Sequence, residues 1–326
     1  MGKVESVLSE TVKSFMIVSR SEFILPNLGA FVMGLAWAAT PSLNLIDSLA
    51  PLVLTFVIVN LSSAIGAQVN TLSDYALDSQ DARKKPLVAA LNSFGQTRLK
   101  YILSVEFLIA AVLTVLLTLI VGKPVLLILW LAGIFLGCSY SARPLSLKSR
   151  SWLAFVSLVL VLSILPTFFI FYTFTSEINL LFLVALAGLT LTVYGVIVPT
   201  ETRDYFGDKT MGITTMTVHI GLTKASLVAI ILLIAGATLN GTALFIGLFS
   251  GRYPILSISV IAIIAAISIV LRQFVKLHRL CKRYDRNNDE TTAQAIVDLS
   301  ANNPKWIMLV TQTYSIISLI LLASRL

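Results

Sequence analysis

The sequence predicts an all-α, polytopic membrane protein with about nine transmembrane helices. Hydrophobic residues make up 57% of the 326 residues and charged residues only 12%, whereas a soluble chain usually carries about 25% charged residues. The apolar residues also fall into runs close to the ~20 residues that a helix needs to cross a bilayer. These runs cover residues 23–40, 49–69, 101–121, 124–140, 152–174, 180–200, 225–250, 254–274 and 306–323.

The segments between the predicted helices alternate between short turns and longer polar stretches. The longer stretches, near residues 75–100, 141–150, 201–224 and 277–305, carry most of the basic residues. Together with the N-terminal segment they account for 21 of the 24 Lys and Arg residues. Because basic loops stay in the cytoplasm, this asymmetry predicts a cytoplasmic N-terminus, cytoplasmic long loops and an external C-terminus.

The remaining composition excludes other classes of protein. The net charge of +8 would suggest nucleic acid in a soluble chain, but here it is interpreted as a topology signal and no nucleic-acid partner is expected. Cys138 and Cys281 show no CxxC spacing, so neither a disulfide framework nor a structural zinc site is predicted.

Two acidic clusters interrupt the apolar pattern. Asn70, Asp74 and Asp78 follow the second predicted helix, and Asp204 and Asp208 follow the sixth, with Glu201 one turn earlier. Residues four apart share one helix face, and like charges stacked there repel unless a cation lies among them. Carboxylate and amide oxygens are the ligands that Mg²⁺ prefers, and Mg²⁺ usually shares such sites with substrate phosphates. The alternative, an ordinary solvated helix end, does not explain the shared spacing.

The two clusters also indicate an internal repeat. Asp204 lies 130 residues after Asp74, and Asp208 lies 130 residues after Asp78. The spacing predicts a single membrane domain over residues 1–326, built from two four-helix units at roughly 23–140 and 152–274 and completed by a last helix at 306–323.

A third element follows the fourth predicted helix and contains Tyr140, Pro144 and Lys148. Alone it is weakly informative, because aromatic residues and basic loops are common at membrane interfaces. In combination and in this order, however, the three elements resemble the UbiA superfamily of intramembrane prenyltransferases. That family has an Asn-x-x-x-Asp-x-x-x-Asp motif, a Tyr…Pro…Lys segment and an Asp-x-x-x-Asp motif.

The resemblance implies nine helices around a central cavity, with cytoplasmic cap segments that carry the acidic motifs. It implies Mg²⁺-dependent ionisation of an isoprenyl diphosphate, with two ions, and transfer of the prenyl group to a lipophilic acceptor of aromatic or quinone type in the bilayer. The implied metal ligands are Asp74, Asp78, Asp204 and Asp208, assisted by Asn70 and Glu201. The implied diphosphate-binding residues are Asn70, Arg83, Lys85, Lys148 and Arg203, and Tyr140 joins the four aspartates as a catalytic residue.

Several alternatives stay open at this stage. A terpene cyclase, a carotenoid elongase or an ether-lipid prenyltransferase would use the same ionisation centre with another acceptor. Internal repeats and membrane acids also occur in secondary transporters, although transporter acids usually lie at mid-membrane. Glu106, inside the third predicted helix, is expected to orient the acceptor, to pair with a basic residue or to reach water. The aromatic residues at 168–174 are interpreted as an interfacial belt, with a wall of the prenyl tunnel as the alternative.

Overall fold

The computed structural model describes residues 2–40, 46–81 and 84–325, and within these ranges every regular element is helical. The α-helices, in chain order, are α1 (Gly2–Val18), α2 (Ile24–Ala38), α3 (Leu49–Ser73), α4 (Tyr75–Asp78), α5 (Lys85–Phe94), α6 (Gln96–Val121), α7 (Val125–Ser141), α8 (Trp152–Val159), α9 (Leu165–Phe174), α10 (Leu180–Thr210), α11 (Met216–Ile220), α12 (Leu222–Phe249), α13 (Ile261–Asn287), α14 (Glu290–Ser300) and α15 (Asn303–Arg325). The predicted all-α class is confirmed.

Most of the predicted spans are also confirmed. Among the described residues, eight helical segments are long and apolar enough to cross a bilayer: Ser21–Ala38, Leu49–Ser73, Gln96–Val121, Trp152–Phe174, Leu180–Thr210, Leu222–Phe249, Pro254–Asn287 and Glu290–Arg325. The remaining prediction, residues 124–140, corresponds to α7, an apolar helix of 17 residues. The chain is therefore a multi-pass membrane protein.

The chain divides into two compact units. The first comprises Met1–Asn27 and Ile46–Ser146, and the second comprises Leu28–Leu45 and Leu147–Leu326. The four-helix repeat expected from the sequence remains a prediction.

In the first unit, α3 packs on α6 and α7. The Trp130 indole on α7 donates a hydrogen bond to Ser62 Oγ on α3 at 3.0 Å. A hydrophobic cluster in the same unit joins α1 to α5. In it Val18 and Leu91 are buried, and the Phe15 and Phe94 rings lie 5.5 Å apart. These contacts fix the end of α3, which carries the first acidic cluster.

The second unit is centred on the close approach of α10 and α12. A side chain at Gly188 would place its Cβ 2.8 Å from the carbonyl oxygen of Gly236, and one at Gly236 would lie 2.7 Å from the carbonyl oxygen of Gly188. Small residues allow membrane helices to approach this closely and to gain dispersion contacts along their length. The second acidic cluster lies at the C-terminal end of α10, so this packing positions it.

In the same unit, Asn303 and Arg325 donate hydrogen bonds to backbone carbonyl groups of neighbouring helices. Pro199 interrupts the hydrogen-bond ladder of α10, and Asn303 Nδ2 donates to the nearby carbonyl of Val196 at 2.6 Å and to Thr200 Oγ1 at 2.7 Å. Arg325 donates to the last carbonyls of α2, at 3.0 Å to Ala36. Such interactions satisfy backbone groups that lipid cannot solvate.

Two of the five aromatic residues of α9 are buried inside the protein. Phe169 and Phe171 are 4% and 0% exposed, and the Phe171 ring stacks on Phe182 with centroids 3.7 Å apart. The belt interpretation is therefore wrong for these two residues, because an interfacial belt requires side chains that face the lipid.

Candidate functional site

The first acidic cluster lies where α3 ends. Asp74 terminates α3 with φ −94° and ψ 0° and immediately precedes the one-turn helix α4. Backbone hydrogen bonds from Asp74 N to Asn70 O (2.9 Å) and from Asp78 N to Asp74 O (2.8 Å) continue the helical path across this junction. The three side chains therefore keep the common face that the four-residue spacing predicts.

The first cluster is preorganised by hydrogen bonds from Asn70. Its amide Nδ2 donates to Asp74 Oδ2 at 2.9 Å and reaches Ser141 Oγ on α7 at 2.6 Å. Asp74 is 9% exposed and Ser141 is 4% exposed. Asn70 thus holds the Asp74 carboxylate in a fixed orientation, and it joins α3 to the residue that follows Tyr140.

One basic residue after the first cluster contacts an aspartate. Lys84 Nζ lies 3.8 Å from Asp78 Oδ1, with both side chains partly shielded from solvent. Lys85 begins α5 and is exposed. Arg83 lies outside the described residues. Tyr140, at the end of α7, is half-buried.

The second acidic cluster occupies the last turns of α10. Glu201, Asp204 and Asp208 follow one another at intervals of three and four residues, so they share one helix face. The Arg203 guanidinium binds the Asp204 carboxylate with two parallel hydrogen bonds, from Nε at 2.9 Å and from Nη2 at 3.0 Å. Lys148, in the short helical turn Leu147–Ser149, is half-buried.

Glu201 is set apart from the two aspartates by its burial. It is 9% exposed, and its Oε2 accepts hydrogen bonds from the backbone N–H of Thr217 (3.1 Å) and from the Thr217 hydroxyl (2.8 Å). Thr217 lies in the first turn of α11, whose N-cap Thr215 accepts from Val218 N. Glu201 therefore connects α10 to α11 and fixes the path of the chain that follows Asp208.

The donor atoms of both clusters are oxygen. Asn70, Asp74 and Asp78 supply amide and carboxylate oxygens in the first unit, and Asp204 and Asp208 supply carboxylates in the second. Within the described ranges, no group of three or more His, Cys, Asp or Glu residues forms a ready-made metal site. An oxygen-only set suits a hard divalent cation that also takes ligands from a bound phosphate.

The sequence was compared with known protein families and structures. The family model of the UbiA prenyltransferase family matches residues 27–287, which is most of the chain and includes both acidic clusters. The chain belongs to the UbiA prenyltransferase family. A search of curated proteins finds no match.

Solved structures of UbiA homologues share the fold. A homologue from Archaeoglobus fulgidus bound to GPP and Mg²⁺ has a TM-score of 0.60 at 15% identity, covering 92% of this chain and 99% of that one. An apo homologue from Aeropyrum pernix K1 has a TM-score of 0.61 at 14% identity, covering 92% and 98%. A digeranylgeranylglyceryl phosphate synthase has a TM-score of 0.57 at 15% identity, covering 95% and 99%.

Within this UbiA fold, three residues near the clusters were missed by sequence reasoning. Ser141 contacts Asn70, Lys84 contacts Asp78 and Thr217 contacts Glu201. Lys84 could have been found, because it is six residues after Asp78 in a basic run. Ser141 and Thr217 could not, since nothing in the sequence marks a serine or a threonine as the partner of a residue 71 or 16 positions away.

Proposed function

We propose that this chain is a Mg²⁺-dependent prenyltransferase that transfers an isoprenyl group from an isoprenyl diphosphate to a lipophilic acceptor. One observation carries the proposal: the end of α3 and the end of α10 each present aspartates at four-residue spacing. Each has a basic side chain in contact with one of those aspartates, namely Lys84 with Asp78 and Arg203 with Asp204. Paired acids and bases of this kind suit a ligand made of a metal cation and a diphosphate anion.

The oxygen donors of both clusters fit Mg²⁺. Asp74, Asp78, Asp204 and Asp208 are the proposed ligands, with Asn70 as a further oxygen donor. Two of the structurally similar A. fulgidus homologues were solved with Mg²⁺ and either GPP or DMAPP, which supports the same ligand class here. When bound, Mg²⁺ supplies Lewis-acid stabilisation of the negative charge that develops on the departing diphosphate.

Side chains of this protein position the metal ligands and bind the diphosphate. Asn70 holds Asp74 in place through the 2.9 Å hydrogen bond, so this ligand is oriented before substrate arrives. Arg203 and Lys84 exchange their carboxylate partners for phosphate oxygens, and Lys85, Lys148 and Arg83 add positive charge to the diphosphate site. Tyr140 donates a hydrogen bond to a phosphate oxygen or presents its ring to the allylic cation.

The structure favours a positioning role for Glu201 over a metal-ligand role. Both of its hydrogen bonds are to Thr217, and its burial leaves Asp204 and Asp208 as the accessible acids of α10. In this proposal, Glu201 sets the geometry of the cluster by anchoring the segment that follows Asp208.

The acceptor is proposed to be an aromatic or quinone-type lipid. A second candidate is an ether-lipid precursor, since a digeranylgeranylglyceryl phosphate synthase is among the structurally similar proteins. A terpene cyclase or carotenoid elongase would share the ionisation chemistry and differ in the group that captures the cation.

Product analysis tests the proposal. The purified protein is incubated with Mg²⁺, labelled C10, C15 or C20 diphosphate and a panel of hydroxybenzoate, quinol and glycerol-phosphate acceptors, and products are identified by mass. Transfer to one acceptor class is expected, and it should be lost in Asp74→Asn and Asp208→Asn. The matched control is Asp298→Asn, which removes an exposed carboxylate on α14 and should retain activity. Full activity in either cluster variant would remove that residue from the site.

A further inference from the structure

The exposed face of α13 changes from apolar to basic at Arg272. Before this point the face carries Ile261 and Ile269, which are 61% and 52% exposed. Beyond it the same face carries the exposed residues Arg272, Lys276, Arg279, Arg283 and Arg286, while the exposed Lys282 and Asp285 lie to one side of it. At 3.6 residues per turn, these five lie within about 80° of one another around the helix. These five residues form the basic stripe.

The stripe cannot turn inward, because the opposite face of α13 is part of the core. Phe274, Leu277 and Cys281 are 1%, 1% and 0% exposed. The helix is therefore locked in rotation, and the basic side chains point away from the protein over a length of about 21 Å.

Neighbouring acids do not neutralise the stripe. Asp285 lies on another side of α13, where its Oδ2 accepts hydrogen bonds from the backbone N–H (3.2 Å) and hydroxyl (2.6 Å) of Thr223. Asp289 caps α14, and hydrogen bonds from Thr291 and Thr292, with a contribution from Arg283, lower the pKa of Asp289 to about 2. Asp285 and Asp289 are two carboxylates near five basic residues, and each already accepts hydrogen bonds from a hydroxyl and a backbone N–H.

The stripe follows an apolar helical stretch whose length can be compared with the thickness of a bilayer. The 3-10 helix Pro254–Val260 and the part of α13 before Arg272 rise together by about 30 Å, using about 2.0 and 1.5 Å per residue. This is about the thickness of the hydrocarbon core. Arg272 is the first charged residue after this stretch, so it and the basic residues that follow are suited to the headgroup region.

We propose that the basic stripe binds the headgroups of anionic phospholipids in the adjacent leaflet. The same helix face contacts acyl chains at Ile261 and Ile269, so the first molecules to meet the stripe are the lipids whose tails lie there. Four of the five cations are arginines, whose guanidinium groups bind phosphate through two parallel hydrogen bonds. A topology signal requires only that basic residues be present on one side of the membrane, whereas here five of the six Lys and Arg residues of α13 lie on one exposed stripe. This inference does not depend on the proposed prenyl transfer.

Headgroup crosslinking tests the inference on the full-length protein. The protein is reconstituted in phosphatidylcholine vesicles that contain a small share of phosphatidylglycerol with a photoactivatable headgroup, and labelled peptides are mapped by mass spectrometry. Labelling of the segment 272–286 is expected to exceed that obtained with a matched phosphatidylcholine probe by several-fold and to decrease with added salt.

Three variants distinguish the effect of the stripe from the effect of net charge. R279Q/R283Q/R286Q should reduce labelling of the segment at least about threefold, whereas K100Q/R150Q/K224Q removes three exposed cations elsewhere and should leave it unchanged. R279K/R283K/R286K keeps the charge and should retain most of the preference. Equal labelling by the two probes in the wild type, or equal loss in the control variant, would overturn the proposal. Displacement of the lipid probe by a short RNA would overturn it in favour of a nucleic-acid surface.

Discussion

Replacing Thr217 with valine tests the buried contact between α10 and α11. The substitution keeps the shape of the side chain but removes the hydroxyl that donates to Glu201 Oε2 at 2.8 Å, and it leaves the 3.1 Å bond from the Thr217 backbone N–H. Because Glu201 is 9% exposed, water cannot readily replace the lost donor. A buried acceptor that loses a partner costs about 1–3 kcal/mol.

The expected result is a lower melting temperature in detergent, by about 2–4 °C for each kcal/mol lost. Thr217→Ser is the matched control, since it retains the hydroxyl and should recover most of the stability. The effect should also reach the second acidic cluster, because Glu201 anchors the segment that follows Asp208. KM for isoprenyl diphosphate should therefore rise in Thr217→Val at the temperature where both variants are folded, while KM for the acceptor changes little.

The outcome that would refute this reasoning is a Thr217→Val variant with the melting temperature and diphosphate KM of Thr217→Ser. The contact would then contribute nothing that water or relaxation of the helix cannot replace. A fall in stability with both KM values unchanged would mean that the contact stabilises the fold but does not influence the site.

The other predictions concern packing, a membrane carboxylate and topology. Gly236→Val should prevent folding, because its side chain would collide with the backbone of α10 at Gly188, where even a Cβ would lie 2.7 Å from the carbonyl oxygen; a folded, active variant by size-exclusion chromatography would contradict the packing. Glu106→Leu should lower the melting temperature and affect both substrates together, since it removes the Oε2 that accepts from Gln68 Nε2 at 2.7 Å and with it a contact between α6 and α3; a selective change in acceptor KM would instead place Glu106 in the acceptor site. A reporter fused after Leu326 should be active only outside the cell, and activity in the cytoplasm would mean that the number of spans is even.

The sequence predicted those features that depend on periodicity and composition. Hydrophobic runs located α7 and the eight candidate spans found among the described residues, because burial in a bilayer requires an unbroken run near the thickness of the hydrocarbon. Four-residue spacing correctly placed Asn70, Asp74 and Asp78 along one helical path, since hydrogen bonds continue through the junction at Asp74. Family membership followed from the order of the motifs and is supported by the match over residues 27–287.

Features that depend on three-dimensional packing were not predictable. The helix that carries Asp204 continues to Thr210 rather than stopping near 200, because a helix can extend past the membrane wherever polar residues keep its ladder intact. The role of Glu201 depends on Thr217, a partner brought to it by the turn into α11. The α9 aromatics resembled an interfacial belt in sequence, and only the burial of Phe169 and Phe171 in the structure shows that these two are core residues.

Release of diphosphate is the measurement that tests the central claim most directly, because ionisation of the allylic substrate precedes every proposed outcome. Purified protein is mixed with an isoprenyl diphosphate and the acceptor identified in the product screen, and inorganic diphosphate is quantified with Mg²⁺ present or chelated. The account predicts release that requires Mg²⁺, is abolished in Asp74→Asn and in Asp208→Asn, and persists in Asp298→Asn. Release that continues in excess chelator, or that survives the loss of either aspartate, would contradict it.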